Sequence, residues 1–143
     1  MSERTFSVSV PVEPSSLGMV RAFFEPMLRE VCPRAADAVV LALDEACSNV
    51  VRHRTGTLGA ATIDVRAHVD DRRVRFRIAR FCRAEDRDDI RPRPLDEDCP
   101  GGLGTAFITR LMDVVAWEEE EDEPGVLALV LEKALDAGGA AHG

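Results

Sequence analysis

The chain has 143 residues, of which 45% are hydrophobic and 31% are charged, a balance that is typical of one globular domain. No stretch approaches the roughly 18 uninterrupted apolar residues that a membrane span requires, and the N-terminus has no signal-peptide pattern, so a cytoplasmic protein is predicted. A formal net charge of -8 argues against nonspecific binding to nucleic acid or to an anionic membrane.

The first half of the chain predicts one strand and two helices. Alternating apolar residues predict a strand from Thr5 to Val12. Ser15 and Ser16 are expected to cap a helix that runs to about residue 31, before Pro33 breaks it. The predicted buried stripe of this helix comprises Val20, Phe23, Phe24, Met27 and Leu28. A second, strongly patterned helix is predicted over residues 35–52.

The second half predicts two strands, a long connection and a third helix. The strands are expected over residues 61–69 and 73–81 and are joined by a short turn. The charged, proline-containing stretch from Cys82 to Pro100 is predicted to be a lid or a binding loop, because it is long for a connection in a compact domain. A glycine-rich turn then opens a helix over about residues 103–112.

A final hairpin and a tail complete the predicted domain. Strands over residues 114–117 and 126–131 flank six consecutive acidic residues, Glu118 to Glu123, which are interpreted as a solvated loop. One domain is expected over residues 1–133, followed by a flexible tail at 134–143. Strands joined by short turns, with helices on one face, predict a two-layer α+β sandwich.

The four cysteines are Cys32, Cys47, Cys82 and Cys99. They form no CxxC pair, so neither a zinc site nor a disulfide framework is predicted. Cys47 lies in an apolar helical run and is predicted to be buried. Cys82 and Cys99 flank the long connection and are interpreted as exposed thiols.

Two polar signals stand out from this framework. Glu45, Asn49 and His53 recur at every fourth position of the second helix, so they lie within roughly 80° of one another on one face. By itself, such a stripe is typical of a solvated helix face. The opposite, apolar side is expected to pack on the sheet and comprises Val39, Val40, Leu43, Cys47 and Val50. The second signal is the turn from Gly101 to Thr105, where glycines and free N–H groups suit a phosphate.

Together, these segments resemble the anti-sigma-factor serine kinase branch of the histidine kinase/Hsp90-like (GHKL, Bergerat) ATPases. The resemblance rests on Glu45-x-x-x-Asn49-x-x-x-His53 and Gly102-x-Gly104, followed by Phe-Ile-x-x-Leu-Met-Asp-x-Val at residues 107–115. It implies a two-layer Bergerat-type sandwich, in which three helices cover one face of a mixed, mainly antiparallel sheet.

The resemblance also implies ATP and Mg²⁺ as cofactors and assigns roles to the site residues. Asn49 would bind Mg²⁺ through its carbonyl oxygen. Glu45 would orient or deprotonate the attacking serine hydroxyl or water. His53 matches a position of the family's site that is often histidine, although a role at the end of the helix is the competing explanation. The β- and γ-phosphates would be cradled by Gly101, Gly102, Leu103, Gly104 and Thr105.

The partners that the resemblance implies are proteins. Members of this branch hold a sigma factor and release it when they instead bind, and phosphorylate, an anti-anti-sigma factor of STAS type. They commonly dimerise, so a homodimer is expected as well. No direct contact with nucleic acid or with a membrane is expected.

The pattern departs from the family at the adenine end of the site. The family has Asp-x-Gly-x-Gly there, whereas this chain has Arg80 for the Asp and Cys82 and Ala84 for the glycines. Arginine has only donors, so it cannot accept a hydrogen bond from the adenine amine, and its side chain could also block the base pocket. One lost charge-assisted hydrogen bond costs about 1.5–3 kcal/mol. Two interpretations stay open: an ATP-dependent serine kinase, and a nucleotide-independent pseudo-kinase that sequesters a partner by binding alone.

Overall fold

A computed structural model describes residues 3–54, 62–84 and 107–135. Two helices and five strands have defined bounds in these ranges, and residues 107–111 are also helical. In chain order they are β1 (Arg4–Pro11), α1 (Ser16–Val31), α2 (Ala36–Arg54), β2 (Thr62–Val69), β3 (Arg73–Arg83), β4 (Val114–Glu119) and β5 (Val126–Ala134). The predicted elements are therefore present in the predicted order, with strand and helix ends displaced by a few residues.

The strands form one sheet in the order β1-β2-β3-β5-β4, and every pairing between the described strands is antiparallel. The predicted α+β two-layer sandwich is confirmed. β5 lies between β3 and β4 because the last hairpin adds to the sheet through its second strand. β5 extends to Ala134, and the N–H of Leu135 donates to the Arg72 carbonyl over 2.7 Å, so ordered contacts reach into the start of the predicted tail.

Alternation along β1, β2 and β3 creates the core. One face of the sheet is apolar and packs beneath the helices, and its buried members include Val10, Ile63, Val65, Ala67, Val74, Phe76 and Ile78. The other face of the sheet is polar and is called the open face below. Cys47 of α2 is fully buried, as predicted, and burial raises the pKa of its thiol to about 12.

The helices pair by apolar packing and by two ion pairs at their outer edges. Arg21 contacts Asp44 at 3.1 Å and Arg29 contacts Asp37 at 2.6 Å, so α1 and α2 run antiparallel. The predicted stripe of α1 is buried except for Phe23, which is 43% exposed. Ser15 occupies the N-cap position as predicted, but its hydroxyl donates to Glu13 and makes no capping hydrogen bond.

Only the second half of the acidic run lies in the predicted solvated hairpin turn, where Glu121 and Asp122 are exposed. Glu118 and Glu119 belong to β4, and Glu120 is only 8% exposed. The carboxylates of Glu118 and Glu120 meet arginines of β3 on the open face, whereas that of Glu119 accepts from the N–H of Gly125. The hydrogen bond from Arg77 is the main cause that holds the pKa of Glu118 below its ordinary value. The prediction failed for the first half of the run because sequence spacing does not show which strand will lie beside the hairpin.

Cys82 differs from its prediction as well. It is 5% exposed, so the expected exposed thiol is instead a buried one, whereas Cys99 lies outside the described residues. In the described ranges, no helix combines the length and the apolar character that crossing a membrane would require.

Candidate functional site

The polar stripe of α2 lies at the centre of the candidate site. Asn49 is 1% exposed and Glu45, one turn earlier, is half-buried. The interpretation of this stripe as a solvated helix face is therefore wrong for Asn49. His53 belongs to the last turn of α2, but its side chain lies outside what the structure describes. Burial of Asn49 follows from packing around most of α2, which also buries Ala42, Ala46 and Val50.

The buried amide of Asn49 has one partnered end and one unpartnered end. Its Oδ1 accepts a hydrogen bond from Nη2 of Arg52 over 2.5 Å. Nη1 of the same guanidinium donates to the Ser48 hydroxyl over 2.8 Å. The Asn49 Nδ2 has no hydrogen-bond partner within the described part of the chain. Because buried polar groups are almost always paired, this amide nitrogen is a donor suited to a ligand.

These contacts indicate which ligand groups Asn49 and Arg52 can bind. The Arg52 guanidinium and the Asn49 amide nitrogen are donors, which match phosphate oxygens. The Asn49 oxygen is the only atom of this set that suits Mg²⁺ by its chemistry, and Arg52 is hydrogen-bonded to it. A phosphate group thus fits the residues as they are arranged, whereas Mg²⁺ fits once Arg52 moves to another acceptor.

Arg52 was not singled out by sequence reasoning. A usable signal was present, because residues three apart on a helix lie beside each other and Arg52 follows Asn49 by three. Among the residues described here, no group of three histidine, cysteine or acidic side chains could hold a metal ion. The other predicted phosphate ligands, Gly101, Gly102, Leu103, Gly104 and Thr105, lie outside the described residues.

The adenine end was predicted to lie at the end of β3, where the strand is irregular. Between Ile78 and Cys82, β3 advances by more residues than β5 does between Leu129 and Leu127, so β3 carries a bulge. Arg80 lies in this bulge with a φ of 48°, a left-handed backbone conformation that residues other than glycine rarely adopt.

The Arg80 guanidinium lies on the open face, away from α2. Its Nε donates to Glu123 over 2.8 Å, and its two other nitrogens lie 3.8 Å from Asp64 and 3.7 Å from Asp122. The backbone N–H of Arg80 donates to the Glu120 carboxylate over 2.7 Å. The hydrogen bond with Glu123 is also the main cause that raises the pKa of Arg80. The expectation that Arg80 blocks a base pocket is therefore wrong.

Phe81 and Cys82, the two residues after Arg80, are apolar and buried. Phe81 is 2% exposed and its ring lies 5.8 Å from that of Trp117 on β4. The N–H of Ala84 donates to the Gly125 carbonyl over 2.8 Å, which ties the end of β3 to the last hairpin. From Phe81 to Ala84, no carboxylate is present that could accept a hydrogen bond from an adenine amine.

Comparison with known proteins adds one finding. A family model described as the histidine kinase-like ATPase domain matches residues 10–131, which include α1, α2, β2, β3 and β4. No curated protein matches the chain. The family match covers both the α2 stripe and the irregular end of β3.

Proposed function

The chain belongs to the histidine kinase-like ATPase family, and on that premise we propose that it is an ATP-binding anti-sigma regulatory factor of a bacterial partner-switching system. Its proposed reaction is transfer of the γ-phosphoryl group of ATP to a serine hydroxyl of a STAS-domain antagonist, which leaves ADP. Its proposed target is a sigma factor or an equivalent protein, held in the cytoplasm by a chain that acts as a homodimer.

The observation that carries the ATP-binding part is the unpartnered Nδ2 of Asn49. A buried polar group without a hydrogen bond costs about 1–3 kcal/mol, and an apolar residue would avoid this cost. The amide is nevertheless buried, at 1% exposure, with the Arg52 guanidinium hydrogen-bonded to its oxygen. A ligand oxygen that accepts from Nδ2 would satisfy the amide, which gives this costly residue a function.

Each residue of the candidate site has a proposed role in ATP binding or phosphoryl transfer. Arg52 and the Asn49 amide nitrogen would donate to phosphate oxygens, together with the N–H groups of the Gly101–Thr105 turn. Asn49 Oδ1 would hold Mg²⁺, which supplies charge neutralisation to the phosphates when bound. Glu45 would accept the proton of the serine hydroxyl, or orient it, because it lies one helical turn from Asn49 and is half-buried. His53, one helical turn after Asn49 on the same face, would be a further residue of this site.

A second candidate function is a nucleotide-independent pseudo-kinase that binds its partner through the same fold. Two observations favour it. Arg80 stands where the family has an acidic residue that recognises adenine, and Phe81 and Cys82 after it are buried and carry no carboxylate. In addition, the proposed Mg²⁺ ligand is already hydrogen-bonded to Arg52.

Calorimetric titration of the full chain with ATP separates the two candidates. The titration is run with Mg²⁺ and again with excess chelator, on wild type, Asn49→Ala and Ser48→Ala. Ser48→Ala is a matched control, because Ser48 also accepts from Arg52 but has no proposed ligand role. We expect saturable, Mg²⁺-dependent binding that Asn49→Ala abolishes and Ser48→Ala retains. No heat at millimolar ATP from folded protein would refute the ATP-binding function and leave the pseudo-kinase.

The partner-switching part is tested separately. Wild type and Glu45→Gln are incubated with γ-labelled ATP and purified STAS-domain proteins. Transfer of label to serine by wild type, reduced at least 100-fold in Glu45→Gln, is expected for a residue that acts as a general base. Binding of ATP without transfer to any STAS-domain protein would contradict the kinase assignment and leave ATP binding intact.

A further inference from the structure

The open face of the sheet carries a second set of polar side chains, on the opposite side from the candidate nucleotide site. Strand register aligns them in rows across β1, β2 and β3. Ser7, Arg66 and Arg77 form one row, and Thr5, His68 and Arg75 form the row beside it. Because side chains at every second position of a strand share a face, these rows lie side by side on the open face.

Most of the arginines on this face are neutralised by carboxylates. Arg77 contacts Glu118 at 2.6 Å and Glu120 at 3.0 Å, and Arg75 contacts Glu118 at 3.2 Å. Further pairs of this kind include Arg73 with Glu132 at 3.0 Å, Arg75 with Glu132 at 3.2 Å and Arg80 with Glu123 at 2.8 Å. On the half of the open face formed by β3, β4 and β5, each of these arginines is therefore paired with at least one carboxylate.

Arg66 is different from these neighbours. It lies on β2 and has no hydrogen-bond or ion-pair partner in residues 3–54, 62–84 and 107–135. The nearest acid of its own strand, Asp64, accepts a bond from Ser9 over 2.5 Å and faces Arg80 with its other oxygen. Ser7, directly across from Arg66 on β1, also lacks a partner within these ranges. The Arg66 guanidinium and the Ser7 hydroxyl thus lie on facing positions, and neither donates a hydrogen bond within these ranges.

Two adjoining cavities meet at this position. One has a volume of about 430 Å³ and is lined by Ser7, Ser9, Asp64, Arg66 and Arg77, among others. The other has a volume of about 350 Å³ and is lined by Thr5, Arg66, His68, Arg75 and Arg77. Both volumes lie within the range of small-molecule sites. Arg66 and Arg77 line both cavities, so a ligand in either one would contact the unpaired guanidinium.

We propose that the open face holds a binding site for a small organic anion, with Arg66 as the charge that fixes its carboxylate or phosphate group. Arginine presents only donors in a planar fork, which matches two oxygens of such a group. The Ser7 hydroxyl supplies a third donor. An anion matches this position because the nearby acids pair with other groups, which leaves the exposed guanidinium of Arg66 as a positive charge without a carboxylate, in a chain whose net charge is -8.

The site is tested by amide NMR on the full chain, titrated with inorganic phosphate and separately with citrate, against sodium chloride at equal ionic strength. The two anions distinguish a phosphate ligand from a carboxylate ligand. The variants are Arg66→Ala, Ser7→Ala and the control Arg72→Ala, which removes an exposed arginine from the β2–β3 turn. Asn49→Ala is included because phosphate could also bind at the candidate nucleotide site.

We expect saturable shifts at β1 and β2 amides near Ser7 and Arg66 with at least one anion, at millimolar concentration. Affinity should fall at least fivefold in Arg66→Ala and to a smaller extent in Ser7→Ala, and it should be unchanged in Arg72→Ala and Asn49→Ala. Shifts that follow sodium chloride, that persist in Arg66→Ala or that occur only around α2 would overturn the proposal.

Discussion

Nη2 of Arg52 lies 2.5 Å from Oδ1 of Asn49, so a positive charge contacts the oxygen that the family resemblance assigns to Mg²⁺. The same buried amide keeps its nitrogen without a partner among the described residues. The Asn49 side chain therefore has an oxygen that already accepts a hydrogen bond and a nitrogen that donates none among the described residues. This arrangement makes the order of events at the site testable, because binding of the ion requires the guanidinium to leave.

The first prediction concerns Arg52→Ala. Removal of the guanidinium frees Asn49 Oδ1 but also removes a proposed phosphate donor, so the test uses ATP at a concentration that saturates the variant. Under that condition we expect the Mg²⁺ concentration that half-saturates binding to fall by about tenfold. A hydrogen bond to a charged group contributes about 1.5 kcal/mol or more, and 1.4 kcal/mol corresponds to a factor of ten. The measurement is calorimetric titration at fixed ATP, with Arg72→Ala as the matched control. An unchanged Mg²⁺ midpoint would show that Arg52 does not compete for this oxygen.

The second prediction concerns the stability cost of Asn49. Asn49→Leu replaces the buried amide with an apolar side chain of similar size, so we expect the free energy of unfolding to rise by about 1 kcal/mol. Asn49→Ala leaves a cavity instead and should lower it by about 1 kcal/mol. Urea denaturation of both variants checks the sign. If Asn49→Leu is clearly destabilised, the unpartnered nitrogen does not carry the cost that the proposed function invokes.

The third prediction separates the backbone of Arg80 from its side chain. Arg80→Ala and Arg80→Gly both remove the ion pairs on the open face, but only glycine adopts a φ of 48° without a steric cost. We therefore expect the glycine variant to be more stable than the alanine variant by about 1 kcal/mol. Thermal and urea denaturation provide the comparison. Equal stability, or a more stable alanine variant, would argue against a left-handed residue at this bulge.

The fourth prediction uses two neighbours in the acidic run. Glu120 is 8% exposed and accepts from the Arg77 side chain and the Arg80 backbone. Glu120→Ala removes the acceptor of the Arg80 N–H and one of the two carboxylates that bind Arg77, which keeps its bond to Glu118. We expect a loss of about 1–3 kcal/mol of stability. Glu121 is exposed, and Glu121→Ala should change stability by no more than about 0.5 kcal/mol. Similar losses from the two substitutions in urea denaturation would mean that the run acts through net charge alone.

The amino-acid sequence determined the order of elements, the α+β class and the pairing of Glu45 with Asn49 on one helical face. Each of these depends on local periodicity, because residues four apart on a helix and two apart on a strand share a side regardless of the rest of the chain. The same helical spacing also places Arg52 beside Asn49, so this contact was predictable from the sequence.

Only the tertiary structure decided where Arg80 points, which carboxylates the acidic run meets and why Arg66 is left without a partner. Arg80 and Glu123 are far apart in sequence, as are Arg66 and Ser7, and they meet through strand register. Register depends on which strands pair and where a bulge falls, and a shift of one residue would exchange the two faces of the sheet. Those contacts are set by cross-strand packing and charge pairing, which a local pattern does not contain.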